Sequence, residues 1–288
     1  MKKILTMIMA VATLSLFLCG CSIGSHVNYK NADQYMVGNT EISDKVEEIA
    51  ISWLDGSVKI EYHDKNTVTI SETSARTLTD EISVHWWLDG STLRIQYAAS
   101  NQTIPANLNK KLTVTLPKEL HLKGLTVSTT SGDIEIGTLS ADQVTTSSTS
   151  GDVKLQCSAE NISLSATSGD LDVTQIGETD KIAMSTTSGE IHIQSDKVKQ
   201  VVTGSTSGDV TAVCEQTPEQ LDISTTSGDV TVKLPKDASL TAKVNTTSGS
   251  FNSDLEMTKV DNSYVYGSGS GSFSISTTSG DVSILEKK

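Results

Sequence analysis

The sequence predicts an all-β chain, a parallel β-solenoid built from coils of about 18–21 residues. Three observations point there. The phrase STTSGD at Ser128 to Asp133 returns in close variants until Ser276 to Asp281, apolar residues alternate on both sides of it, and aromatic content is only 4%. An active site is spelled once, because chemistry needs one convergent constellation, whereas a motif repeated at near-constant spacing marks stacked architecture.

The repeat is regular. Its glycines, Gly132, Gly151, Gly169, Gly189, Gly208, Gly228, Gly249 and Gly280, are separated by 19, 18, 20, 19, 20, 21 and 31 residues. The last interval reads as a lengthened coil, with YGSGSGSF at Tyr266 to Phe273 as a flexible or tight connection in it. Apolar residues fall seven and five positions before each glycine and two and four after it, as in Leu125 and Val127, then Ile134 and Ile136. That is strand alternation on both sides of a turn. Leu139, Cys157, Ile176, Val198, Cys214 and Leu234 lie in the return loops and are expected to close a third side. One coil cannot bury its own apolar face, but coils stacked about 4.8 Å apart pair as parallel strands around a continuous interior.

Each column of the repeat then has a physical reading. Glycine is expected where the turn needs a positive φ or a close backbone approach. Thr130, Thr149, Thr167 and their equivalents are expected to form a hydroxyl ladder together with the serine that follows each. After each glycine comes an acidic residue: Asp133, Asp152, Asp170, Glu190, Asp209, Asp229 and Asp281, with Ser250 in place of one. Like charges one coil apart must splay into water, accept backbone N–H bonds or share cations. Ser250 and Glu190 depart from a strict metal geometry, so turn chemistry is the favoured reading, and Asp133, Asp152, Asp170, Glu190, Asp209 and Asp229 stay only weak cation candidates.

Upstream, IAISWLDGSVKI places Ile49 and Ile51 before Gly56 and Val58 and Ile60 after it, and ISVHWWLDGSTLRI repeats the template. Trp53, Trp86 and Trp87 all lie here, either as an aromatic plug for the open end or as a sugar-stacking platform. The N-terminus carries Lys2 and Lys3, then an apolar run from Ile4 to Leu18 that is too short for a permanent transmembrane helix. Its end, LCGC, resembles the lipobox of bacterial lipoproteins, which makes Cys21 the lipid-attachment site. Cleavage elsewhere would leave Cys21 a free thiol. Two acyl chains hold a protein on a bilayer where one does not. The expected organisation is a signal peptide over 1–20, a lipidated tether over 21–45 and a solenoid over 46–288, divided into N-terminal coils (46–120) and TSGD coils (121–288).

Without the leader the formal charge moves from −13 to about −15, which argues against nucleic acid and against direct adhesion to anionic lipid. Cys157 and Cys214 each lie six residues after a glycine, in one column but three coils apart. That is about 14 Å, beyond the ~7 Å between Cα atoms that a disulfide tolerates, so both are expected as buried free thiols. The chain has no H-E-x-x-H, paired C-x-x-C, P-loop or nucleophile elbow, and His26, His63, His85, His121 and His192 lack ligand spacing. No catalytic residue, cofactor or firm metal site is expected.

The order IAISWLDGSVKI, then LTVTLPKELHLKGLTVSTTSGDIEI, then serial TSGD coils resembles the "putative adhesin" family of bacterial surface proteins, largely a domain of unknown function. The likeness runs from about Tyr35 to Leu285. It implies a β-solenoid outside the cytoplasm, often in envelope lipoproteins, with no established catalytic residues. Three function classes follow: a non-catalytic surface module binding material at the envelope, an accessory lipoprotein modulating a membrane-embedded stress sensor, and a polysaccharide-acting enzyme on a β-helix. The last needs carboxylates, Arg or Lys clustered on one face, where this chain offers mainly Ser and Thr. The expected location is the extracytoplasmic face of the cell membrane, with a cell-wall glycan or a membrane protein as the partner beyond the lipid.

Overall fold

The computed structural model describes residues 25–288, so the leader and Cys21 lie outside the described residues. Among the described residues the fold is all-β: strands join into one twenty-stranded sheet and one two-stranded sheet, with only two short 3-10 turns, Ala32–Gln34 and Asp80–Ile82.

Parallel pairing runs through the repeat region as the glycine spacing predicts. His121–Ser150 pairs with Glu48–His63 on one side, matching Leu125 with Ile49 and Gly132 with Gly56. On the other side it pairs with Val153–Ser168, which pairs with Leu171–Ser188, which in turn pairs with Ile191–Ser207. Inward positions are the alternating aliphatics, so Val127, Leu155, Val173, Ile193, Val210 and Ile275 are all essentially buried. Each aliphatic lies against its copy on the next level, which is how a chain with few aromatics fills one continuous core.

The sheet is mixed, however, and the departures from a purely parallel stack are at its ends. Toward the N-terminus, Thr92–Gln96 and Lys111–Pro117 pair in parallel with the two halves of Glu48–His63. The segment that comes second in sequence is thus outermost in space. Antiparallel strands then close over it: His85–Asp89 on Thr92–Gln96, and Val68–Thr73 on Lys111–Pro117. The expected tether is part of this closure. Thr40–Ile42 pairs antiparallel with Val68–Thr73, Ser25–Val27 pairs antiparallel with Gln102–Ile104, and Val27 and Ile42 are buried. Residues 25–45 are therefore folded onto the N-terminal levels, because the outermost level has a sheet edge and an apolar face that must be covered.

The other end is also laid out of order. Gly271–Ser279 pairs in parallel with Gln220–Ser227 on one side and with Leu240–Ser248 on the other. The last level of the chain, Gly271–Ser279 with Val282–Glu286, is thus inserted beneath the level that precedes it in sequence. This corrects the reading of the 31-residue interval as one lengthened coil: within it, Thr258–Val260 and Ser263–Tyr266 form a hairpin, and Tyr264 to Tyr266 pair antiparallel with Leu240 to Ala242. The chain needs the extra length to double back.

Candidate functional site

The repeated turn forms one edge of the molecule, and its geometry explains the repeated spelling. A Cβ on Gly151, Gly169, Gly189, Gly208, Gly228, Gly249 or Gly280 would stand less than 3.0 Å from the carbonyl oxygen of the stacked glycine. Close backbone approach excludes side chains along this whole column, and at Gly169, Gly189, Gly208 and Gly280 a φ of +153° to +157° disfavours them as well. The contacts also give the spatial order of levels: Lys110, Gly56, Gly132, Gly151, Gly169, Gly189, Gly208, Gly228, Gly280, then Gly249. Backbone bonds stitch the turns together, with Gly189 N–H donating to Ser207 O at 3.1 Å and Ile191 N–H to Asp209 O at 2.9 Å.

The acidic column adds a side-chain rung to each step. Asp133 Oδ1 accepts the Asp152 N–H at 3.1 Å, Asp152 accepts from Asp170 at 2.9 Å, and Asp170 from Glu190 at 2.8 Å. The ladder resumes with Asp209 accepting from Asp229, Asp229 from Asp281 and Asp281 from Ser250. Bonds from the Ser250 backbone and hydroxyl hold the Asp281 carboxyl below its usual range. Ser250 is an exception in sequence but the last rung in space, where no further N–H needs an acceptor. Among the described residues no three His, Cys, Asp or Glu side chains are close enough to hold a metal ion.

The inward hydroxyls belong to the residue before the Thr-Ser-Gly triplet, a place that Ala166 takes before Thr167. Thr129, Ser148, Thr186, Ser205, Thr225 and Thr277 are buried, while Thr167, Thr187, Thr206 and Thr226 are exposed. Thr129 Oγ1 donates to Gly132 O at 2.9 Å, and Thr277 Oγ1 to Gly228 O at 3.2 Å. The expected ladder at Thr130 and its equivalents is thereby displaced by one position, because strand alternation from Leu125 and Val127 puts Thr129 inside. The same rule corrects the return-loop column. Leu139, Cys157, Gln175, Ser195 and Cys214 stack in register, so buried Gln175 takes the place expected for Ile176. Gln175 Nε2 donates to Gly177 O at 3.0 Å. Both thiols are buried and free, two intervening levels apart, and burial pushes Cys157 up to about 12 and Cys214 to about 11.

Lys110 closes the N-terminal end of the interior. Its side chain is 0% exposed, and its ammonium reaches Glu72 Oε1 at 2.5 Å, Ile82 O at 2.7 Å and the Tyr97 carbonyl. It lies 5.0 Å from the Trp53 ring centroid and 4.0 Å from that of Tyr97, so of the three tryptophans expected as a plug Trp53 lines an aromatic box around a cation, while Trp86 and Trp87 lie on the antiparallel closure. Desolvation lowers the Lys110 pKa and raises that of Glu72, each opposed by the charge of the other.

An open cleft of about 450 Å³ lies where the N-terminal segment meets the first TSGD level. Ile42, Val46, Val68 and Leu120 contribute apolar walls; Asp44, Lys45, Glu47, Lys123, His121 and Asp142 are its charged or titratable groups. Lys45 and Lys123 both engage Glu47 and hold its carboxyl down at about 2. His121 Nε2 lies 2.6 Å from Asp142 Oδ1 and Nδ1 2.8 Å from Ser140 Oγ. A neutral ring satisfies both by donating from Nε2 and accepting at Nδ1. His121 and Ser140 are 19 residues apart, one coil length, which is the signal that places them side by side. The polarity is that of a hydrolytic relay, but His121 and Asp142 are 54% and 49% exposed, so water is not excluded from it.

Comparison with known proteins agrees with this architecture. No curated protein matches the chain. A crystal structure described as a "putative adhesin" from Bacteroides fragilis NCTC 9343 is similar at a TM-score of 0.53 and 14% identity, covering 91% of this chain and 100% of that one. Another "putative adhesin", from Parabacteroides distasonis ATCC 8503, is similar at a TM-score of 0.50 and 13% identity, covering 91% and 100%. At such identities the likeness is one of fold. The family model Toastrack DUF4097 matches residues 46–285, nearly all of the stack, and the chain belongs to that family.

Proposed function

We propose that the chain is an extracytoplasmic lipoprotein, acylated at Cys21, whose stack is a parallel β-solenoid serving as a non-catalytic, adhesin-like binding surface in the bacterial envelope. The observation that carries this reading is the use of the polar groups along the turn edge. Glycine N–H groups, most turn carboxylates and the hydroxyls of Thr129, Thr186 and Thr277 bond to the neighbouring level, which suits a rigid extended surface and leaves no convergent cluster for chemistry along this edge. The similar structures described as adhesins support a search for the partner at a surface.

Replacing Cys21 with Ser and fractionating cells tests the anchor; a variant that stays on the membrane at full level overturns it. Cross-linking in intact cells followed by capture identifies the partner. A cell-wall glycan supports the surface-module reading, whereas a single membrane-embedded sensor favours the accessory-lipoprotein reading. Hydrolysis of a chromogenic ester that is lost in Ser140→Ala would overturn the non-catalytic assignment through the His121 cluster.

A further inference from the structure

Among the described residues the large exposed hydrophobics are Met36 at 50%, Val37 at 43% and Val260 at 51%, and Met36 and Val37 are adjacent. They pair antiparallel with Trp86 and His85 on the N-terminal closure. Beside them runs a chain of aromatic contacts: the Tyr29 and Tyr35 ring centroids are 4.7 Å apart, and Tyr35 and Trp87 5.7 Å apart. All three rings are partly exposed. Arg94 lies 6.0 Å from the Trp87 ring centroid and is paired with Asp89 at 3.0 Å, and the exposed Lys30 and Asp33 between Tyr29 and Tyr35 are of opposite sign, so these four charges beside the patch sum to zero.

Rings with one apolar and one wet side, flanked by exposed aliphatics and little net charge, match the headgroup zone of a bilayer better than bulk water. The position in the chain agrees. Ser25 starts the first described strand, pinned to Ile104, and Tyr29 follows four residues later with its hydroxyl donating to Ala98 O at 3.0 Å. Cys21 precedes Ser25 by only four residues, a reach of at most about 14 Å. An acyl anchor at Cys21 therefore leaves the N-terminal end no room to stand away from the membrane.

We propose that the Tyr29, Tyr35, Met36, Val37 and Trp87 face docks on the lipid surface, seating the N-terminal end on the bilayer and directing the TSGD levels away from it. The proposal rests on the lipid-anchor reading. Docking orients the molecule, while the acyl chains supply the affinity, in keeping with the acidic charge of the chain.

The test uses the full lipidated chain on vesicles of phosphatidylethanolamine and phosphatidylglycerol, with an environment-sensitive dye on Val37→Cys and, separately, on Val260→Cys at the opposite end. Both positions are exposed, so neither substitution disturbs the core, and Cys157 and Cys214 are too buried to compete for label. The Val37 dye is expected to shift to the blue and brighten about twofold as it enters the interface, with the Val260 dye unchanged. Met36→Asp should abolish the Val37 shift without releasing the protein from vesicles. A chain that floats with vesicles but keeps a water-exposed Val37 dye overturns docking and leaves the anchor standing. A chain that does not float removes the anchor and the docking together. A Val37 shift produced by peptidoglycan fragments and not by vesicles overturns the proposal in favour of a glycan.

Discussion

From Gly132 to Gly228 each level follows the previous one in sequence, whereas at both ends the order in space is inverted. The inner levels hold one another by near-identical devices: a glycine backed on a carbonyl, an inward hydroxyl or small residue, and a carboxylate on the next N–H. Devices that are all alike cannot say where a stack begins, since a slip by one coil would satisfy most of them equally well. The ends carry residues found once. At one end Lys110 sits in the aromatic box under antiparallel strands. At the other, Ser250 ends the carboxylate ladder, and Phe251 packs on Tyr264 of the hairpin at 4.5 Å between centroids. Repetition supplies cohesion, and the unique ends supply register and a stop.

The largest effect expected is inside the stack. Gly228→Ala, at a position without a positive φ, puts a Cβ against the Gly208 carbonyl and should cost about 4 kcal/mol or more in urea unfolding, because the collision is with backbone on a packed level. Gly132→Ala, whose Cβ would have 3.2 Å to Gly56 O, should cost only about 1 kcal/mol. Equal costs at the two positions would break the claim that stacking distance sets the glycine column.

The closure at Lys110 comes next. Lys110→Met leaves Glu72, 4% exposed, without its cation and should destabilise by about 3–5 kcal/mol, read by Trp53 emission. Adding Glu72→Leu should recover most of that loss. A double variant no better than the single one would show that the charge pair is not the determinant.

Smaller changes follow along the acidic ladder. No side-chain rung links Glu190 to the Asp209 N–H, so Glu190→Asp should supply the missing acceptor and raise the melting temperature by about 2 °C. Asp170→Asn should lower it, with millimolar calcium changing neither value. A large calcium-dependent rise would make the ladder a cation site.

The smallest effect is acid titration of Glu47, whose folded pKa of about 2 is depressed first by Lys45 and then by Lys123. A depressed carboxylate stabilises above its unfolded value, about 4.3, and that contribution is lost as pH falls toward the folded value. Because the ion pairs lie at the solvated rim of the cleft, with both lysines exposed, the change should be slight in thermal melts and clear only in NMR titration. Lys45→Ala should raise the Glu47 midpoint.

Much of this was determined by the sequence alone. Alternation around each glycine specifies the strands, their inward faces and parallel stacking in the middle of the chain. The column arithmetic places Cys157 and Cys214 inside and apart, since neighbouring coils differ by known numbers of residues. Applied strictly, the same alternation also selects Thr129 over Thr130 and Gln175 over Ile176, because the pleat, not side-chain polarity, decides which way a residue points. Only the tertiary structure decided the rest. Pairing of Gly271–Ser279 with two strands at once, the folding of residues 25–45 over the N-terminal edge and the Lys110 box all join segments through contacts no local pattern encodes, whereas the meeting of His121 with Ser140 follows from their one-coil spacing. A periodic sequence is locally satisfied in many registers, and only the closing of both ends around unlike residues selects one.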